Sequence, residues 1–291
     1  MSEIHRIELP TLFGMKTVNA YLLKGDEVVL IDSGEDTDES YNALEASLKE
    51  HKIAITDIDR IIITHAHVDH MGMAQRIGSE AGARICVSEL VKDWALKPDE
   101  MWSHREKLML PTLLSCFDPN LSSLIKQGYI DMMGNVKKVW RPISEDLLDI
   151  YQSDGELDIN DTRWQCVYMP GHSSTQSTFF NPLNGDFISA DMLLKITPTP
   201  VIEPSRDDIT KRNRGILEMM NSYERLLRFD IKKVYPGHYE IFENAHDVIN
   251  RQVRRIDERT KQCYDLIKSG QSSFIVIFLS LIHISEPTRP Y

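Results

Sequence analysis

Short apolar runs that end in polar loops set the rhythm of this chain. Val28-Val29-Leu30-Ile31 stops at Asp32-Ser33-Gly34, Arg60-Ile61-Ile62-Ile63 at Thr64-His65, Phe187-Ile188-Ser189-Ala190 at Asp191, and Val234-Tyr235 at Pro236-Gly237-His238. Runs of this length bounded by turn residues read as buried strands. Further strands are expected near Ile4–Leu9, Val18–Leu23, Arg84–Val87 and Leu147, and ahead of Met169-Pro170-Gly171-His172. Between them the period becomes helical. Tyr41, Leu44 and Leu48 share one face, and a helix is expected from about Asp69. Ser205 and Asp208, three apart, form a capping-box start for a helix carrying Ile216, Met220, Tyr223 and Leu227. A long last helix carries Ile249, Val253, Ile256 and Ile267.

The stretch from about residue 90 to 141 breaks this rhythm. It holds Trp94, Trp102, Met109, Phe117, Met132 and Met133 among other apolar residues, and it reads as two or three helices. Such Met-rich surface adapts to irregular ligands, so one reading is a cap with a pocket for an apolar group. The other is that these residues pack only against each other and the strands beneath.

Composition narrows the partners. A length of 291 residues suits one catalytic domain with additions. Lys and Arg number 33 against 44 Asp and Glu, a net charge of -11, and no dense basic run occurs, so nucleic acid is disfavoured as a partner. Cys86, Cys116, Cys166 and Cys263 lie far apart with no C-x-x-C spacing, which argues against a disulfide framework. The N-terminus lacks the basic and apolar regions of a secretory signal, and a cytoplasmic location is expected. The longest apolar run, Phe274 to Ile284, is too short to span a bilayer. From Leu279 to Arg289 the chain looks like a sequencing adapter translated in frame. On that reading residues 279–291 are not biological and the native chain continued past about residue 278.

The candidate chemistry is concentrated in Thr64-His65-Ala66-His67-Val68-Asp69-His70, four potential metal ligands in six residues directly after a strand. Imidazoles with a carboxylate suit a borderline ion such as zinc, with manganese and iron as alternatives. His172, Asp191 and His238 follow other strands, two of them in Pro-Gly-His turns where glycine lets the backbone turn sharply.

With its ligands in this order, the chain resembles the metallo-beta-lactamase superfamily, whose pattern is H-x-H-x-D-H followed by a His, an Asp and a final His. The resemblance runs from about Ile4 to His238. It implies an α/β fold, a four-layer αββα sandwich, here with the helical insertion over the active site. It further implies that His65, His67 and His172 hold one metal, that Asp69, His70 and His238 hold a second, and that Asp191 bridges them. Asp32 would hold the His-rich loop through hydrogen bonds. The catalytic domain is then expected over 1–243 with its cap at about 90–141, followed by a truncated helical extension over 244–278. Many true β-lactamases of this fold place a Cys at a metal position, where this chain has Asp and His. A di-iron branch carries Glu where His67 stands and continues into a flavin domain that this chain lacks. A mononuclear iron dioxygenase branch keeps nearly the same ligands and stays open.

Within the superfamily the chain is similar to the hydroxyacylglutathione hydrolase and thioesterase branch. The resemblance implies two divalent ions, zinc first, and a hydroxide bridging them that attacks a thioester, ester or lactone of a small-molecule acyl substrate, with Asp69 orienting the nucleophile. Lys195 is a candidate for a substrate carboxylate or phosphate, and Tyr239 for a hydrogen bond to a developing oxyanion. Trp102 and Met109 are candidate pocket residues. The alternatives are a phosphodiesterase or endoribonuclease, and a metal-stabilised regulatory protein. A homo-oligomer is compatible with all three, and no membrane partner is expected.

Overall fold

Alternation along the strands builds two sheets that share a core. The computed structural model describes residues 3–201, 203–271 and 273; the adapter-like tail and the apolar run from Phe274 lie outside them. The first sheet comprises β1 (Glu3–Pro10), β2 (Thr17–Lys24), β3 (Val28–Ile31), β4 (Arg60–Ile62), β5 (Arg84–Ser88) and β6 (Leu148–Tyr151), in that spatial order. The second comprises β7 (Gly155–Ile159), β8 (Thr162–Tyr168), β9 (Ser177–Phe180), β10 (Asp186–Ala190) and β11 (Lys233–Pro236), ordered β11-β10-β9-β8-β7. Strands β3 through β6 pair in parallel, as do β10 and β11; the remaining neighbours are antiparallel.

Side chains two apart share a face of a strand, so each strand feeds two cores. Val18, Ala20 and Leu22 of β2, Leu30 of β3, Ile61 of β4 and Ile85 and Val87 of β5 face outward to helices α1 (Asp38–Glu50) and α3 (Ala74–Ala81). Their neighbours Tyr21, Leu23, Val29, Ile31, Ile62 and Cys86 face inward and meet Trp164, Cys166, Phe179, Ile188 and Tyr235 of the second sheet. On the far side Val167, Phe180, Phe187 and Val234 pack against α7 (Gly215–Leu226) and α8 (Ala245–Lys268). Three apolar clusters between four layers make the αββα sandwich, as expected. All four cysteines are free, and among the described residues no helix is long and apolar enough to cross a membrane.

The insertion between β5 and β6 is helical: α4 (Lys92–Leu96), α5 (Pro98–Ser115) and α6 (Ser122–Val136). Its anchor is Trp94, Trp102 and Trp140, whose ring centroids lie 5.2, 5.6 and 6.0 Å apart within the first core. Edge-on aromatic packing of this kind is specific as well as apolar.

Two helical expectations are corrected. The helix over 215–226 begins at Gly215, not near Ser205, because Asp208 turns back onto Thr210 instead of capping a helix. Its buried stripe is Met219, Ser222, Tyr223 and Leu226: Tyr223 is buried as expected, Met219 and Leu226 take the places expected for Met220 and Leu227, and Ile216 and Leu227 are exposed. In α8, Ile249 and Ile256 are buried, but Ile267 is exposed near the helix C-terminus. Gln252 of α8 accepts from the Tyr223 hydroxyl and donates to the Leu194 carbonyl, tying both helices to the loop after β10.

The inter-sheet core yields a test. Replacing the fully buried Phe179 by Ala removes a ring packed 5.8 Å from that of Tyr151. The expected loss is about 3–5 kcal/mol in urea unfolding. Ile267→Ala should change stability by less than about 0.5 kcal/mol.

Candidate metal centre

Every expected ligand emerges from the same edge of the sandwich. Asp32 and the His-rich loop leave the C-terminal ends of the parallel pair β3 and β4, and Asp191 and His238 leave those of the parallel pair β10 and β11. His172 follows β8, which runs in the same direction as β10. The turn after β4 continues into the short helix α2 (Val68–Met71), which carries Asp69 and His70. Carboxyl ends of parallel strands are where open α/β sheets bind ligands.

The side chains converge closely. His65 Nε2 and His172 Nε2 approach His67 Nδ1 to 3.0 and 2.9 Å. His238 Nε2 lies 3.4 Å from Asp69 Oδ2 and 3.2 Å from Asp191 Oδ2, and His70 Nε2 lies 3.4 Å from Asp191 Oδ1. Three sets bring ligand atoms within 4.8 Å of one another: His65, His67 and His172; His65, His70 and Asp191; and Asp69, His70 and His238.

What makes this a metal-type site is the far side of each ring. His172 Nδ1 donates to the Thr199 carbonyl at 2.6 Å and His238 Nδ1 to the Thr17 carbonyl at 2.6 Å. His70 Nδ1 donates to Asp32 Oδ2 at 2.7 Å and His67 Nε2 to Glu203 Oε1 at 2.6 Å. The Thr64 hydroxyl donates to Asp32 and so accepts from His65 Nδ1, each at 2.9 Å. A neutral imidazole with one nitrogen donating offers a lone pair on the other. With all five rings neutral their inward nitrogens would be acceptors facing acceptors, a conflict relieved either by a cation or by protons on His70 and His238. His70 Nε2 and Asp191 Oδ1 are buried without a hydrogen-bond partner among the described residues. Such a donor set fits divalent cations.

Charge within the cluster is graded. Burial, reinforced by the neighbouring imidazoles, holds His65 well below the usual histidine range and lowers His172 to about 4. Burial opposes ionising Asp69, but His70 and His238 outweigh it and lower its pKa to about 2. Burial likewise opposes protonating His238, but Asp191 and Asp69 prevail and raise it to about 10. Without a cation, His70 and His238 carry the protons that balance the carboxylates. Metal uptake displaces those protons and is favoured by rising pH.

Backbone detail supports the convergence. A Cβ on Gly237 would fall 2.1 Å from Asp191 Oδ1, so this glycine is needed for close approach rather than for a sharp turn. Gly171, at φ +141, does need its freedom, and its Cβ would strike Met219. Asp32, Ala190 and Tyr239 adopt positive φ beside the ligands, a strain of order 1 kcal/mol or more each.

A cavity of about 350 Å³ opens onto His67, Asp69, His172, Asp191 and His238 and is walled by the insertion, with Trp102 and Met109 among its lining. Lys195 and Tyr239 do not face it. Met192, Leu193 and Leu194 are buried beside α8, so the chain emerges at an exposed Lys195 whose carbonyl is held by Arg251. Lys195 and Tyr239 line a separate cleft with Glu8 and Thr17. Sequence reasoning missed Glu203 and Arg105. Glu203, in an irregular Pro-flanked loop, is buried and also accepts from Ser173 Oγ and from the amide and hydroxyl of Ser174. An acidic residue inside an apolar, Pro-bounded segment was the only signal.

If Glu203 sets the tautomer of His67, Glu203→Gln should weaken zinc binding by about 10–100-fold in competition with a chelating dye, while the circular-dichroism spectrum stays unchanged. Unaltered affinity would contradict this role.

The sequence profile of the Metallo-beta-lactamase superfamily matches residues 14–238. The chain is 26% identical over 270 residues to the "Probable metallo-hydrolase YqjP" of Bacillus subtilis (strain 168), covering 89% of this chain and 78% of that one. Its fold is similar to the metallo-beta-lactamase family protein TTHA1429 from Thermus thermophilus, with a TM-score of 0.73 at 21% identity over 90% of this chain and 81% of that one. It is also similar to a beta-lactamase domain protein from Burkholderia ambifaria, with a TM-score of 0.65 at 16% identity over 89% and 75% of the two chains. On a match spanning strands from both sheets and every expected metal ligand, the chain belongs to the metallo-beta-lactamase superfamily.

Proposed function

We propose that this chain is a dinuclear metal-dependent hydrolase of thioesters, esters or lactones with an apolar acyl group, akin to the thioesterase branch of its superfamily. The observation that carries this reading is the cavity: its floor is the ligand cluster, and its walls are Phe13, Met15, Trp102, Met109, Met132 and Met133. Apolar walls with a few convergent polar groups are the ordinary form of a small-molecule site. The name of the Bacillus subtilis relative supports hydrolysis and specifies no substrate.

His65, His67 and His172 would hold one ion and Asp69, His70 and His238 the other. Asp191 would reach both, since its two oxygens face His70 on one side and His172 and His238 on the other. Zinc suits these donors best, with manganese and iron as alternatives. When bound, such ions polarise a carbonyl and make a water acidic enough to attack near neutral pH.

The chain's own residues do the rest. Asp69 is ionised and its side chain is 17% exposed on the cavity floor. It can accept a hydrogen bond from the attacking water and so orient it. The methionines and Trp102 hold the acyl chain and keep bulk water off the reacting carbonyl. A thiolate leaves without prior protonation, which suits a cavity with no neutral acid on its floor. For the phosphodiesterase alternative, the net charge of -11 and a single arginine among the lining residues offer no track for a polyanionic backbone.

Zinc-replete protein assayed on acyl thioesters, aryl esters, lactones and bis(p-nitrophenyl) phosphate should hydrolyse the acyl substrates. Chelation should abolish that turnover. His65→Ala should reduce it to the chelated background with the fold retained. Turnover of the phosphodiester alone would overturn the proposal.

A further inference from the structure

Arg105 sits on the wall of the cavity, one helical turn from Trp102 on α5. Its side chain is only 16% exposed, and its guanidinium carbon lies 5.2 Å from the Trp102 ring centroid. Its nearest counter-charge is Glu203, with Nη1 3.8 Å from Oε1. That distance is too long for a hydrogen bond. Three of the donors to Glu203, from Ser173 and Ser174, are on Oε2, and Oε1 takes the His67 N–H, so Glu203 meets Arg105 as an ion pair without a direct hydrogen bond. Among the described residues no hydrogen bond reaches the guanidinium. A planar fork of five donors, mostly buried, therefore faces a cavity with apolar walls above the ligand cluster, and no protein group takes its hydrogen bonds among the described residues.

Glu203 supplies counter-charge but no hydrogen bond, so an incoming anion would add the charge-assisted hydrogen bonds the fork lacks. Arg105 is the sole lysine or arginine among the cavity's lining residues, so it marks one point on any ligand. The opposite end of that ligand is fixed by the ligand cluster, to which Glu203 and the His67 ring connect Arg105. We infer that the substrate is amphipathic, with an apolar segment against the methionines and a carboxylate or phosphate seated on Arg105 while its carbonyl lies over the ligand cluster. Arg105 is then a specificity-determining residue supplied by the helical insertion. The Trp102 ring and the ion pair with Glu203 hold the fork in place before substrate arrives.

This inference rests on the acyl-hydrolase reading for the carbonyl but not for the anion, and the test separates the two. Binding of octane-1-sulfonate, a strong anion and a weak metal ligand, is compared with that of octan-1-ol by calorimetry and Trp fluorescence in wild type, Arg105→Met and Arg105→Lys. Wild type should prefer the sulfonate by roughly tenfold or more. Arg105→Met should lose the preference and Arg105→Lys should keep part of it. In parallel, matched thioesters are assayed with and without a terminal carboxylate on the acyl chain, and with a neutral or an anionic thiol. The kcat/KM ratio of anionic to neutral substrate should fall about tenfold in Arg105→Met, and the arm in which it falls identifies the anionic end.

A sulfonate preference without turnover of any acyl substrate would sink the hydrolase reading and leave the anion subsite standing. Acyl turnover with no sulfonate preference, or with a preference that survives Arg105→Met, would sink the subsite and leave the hydrolase reading standing.

Discussion

Five hydrogen bonds that point away from the centre determine what the centre can be. Each imidazole gives its outer N–H to a fixed acceptor: Thr64 Oγ1, Glu203, Asp32, and the carbonyls of Thr199 and Thr17. When the rings are neutral the inner nitrogens present lone pairs to one another and to Asp69 and Asp191. Such an arrangement is unfavourable in a buried site unless a metal cation, or protons on His70 and His238, fills it. Asp32 is the most heavily used of these acceptors. It takes the amide and hydroxyl of Thr64 and the ring of His70, so one carboxylate sets the conformation of the loop and the orientation of a ligand on it.

The fold exists around that constraint. Parallel pairing of β3 with β4 and of β10 with β11 puts four strand ends on one edge, and the inter-sheet core keeps the two sheets in register. Gly237 shows how tight the assembly is, since even a methyl group there would collide with Asp191. Above the edge, the tryptophan-anchored insertion closes the cavity with flexible, apolar side chains and a single fixed cation. The candidate metal ligands come from the strand ends of the sandwich, whereas the insertion supplies much of the cavity wall, and discrimination among substrates is most readily built there.

Much of this was legible in the chain itself because ligands clustered at strand ends leave a dense signal. His65 to His70 fall in six residues, and His172, Asp191 and His238 each follow an apolar run. Strand alternation likewise placed the sheets. The acceptors behind the ligands were not legible, because Thr17, Thr199 and Glu203 come from a strand start and irregular loops where no periodicity points to a partner. Arg105 was hidden for a different reason: a lone arginine on a helix is ordinarily solvated, and only its burial beside Trp102 sets it apart. Lys195 had the better sequence credentials, four residues from Asp191, yet the buried segment between them carries it out to another face. The start of α7 was misjudged because Ser205 and Asp208 satisfy a turn as readily as a helix cap.

Anomalous diffraction at the zinc edge from zinc-loaded crystals tests the central claim most directly. The account predicts two peaks. One should lie about 2.0–2.1 Å from His65 Nε2, His67 Nδ1 and His172 Nε2, and the other at similar distance from Asp69, His70 Nε2 and His238 Nε2. A single peak, or ligation through the nitrogens assigned here as donors to Thr64, Glu203, Asp32, Thr199 and Thr17, would contradict it.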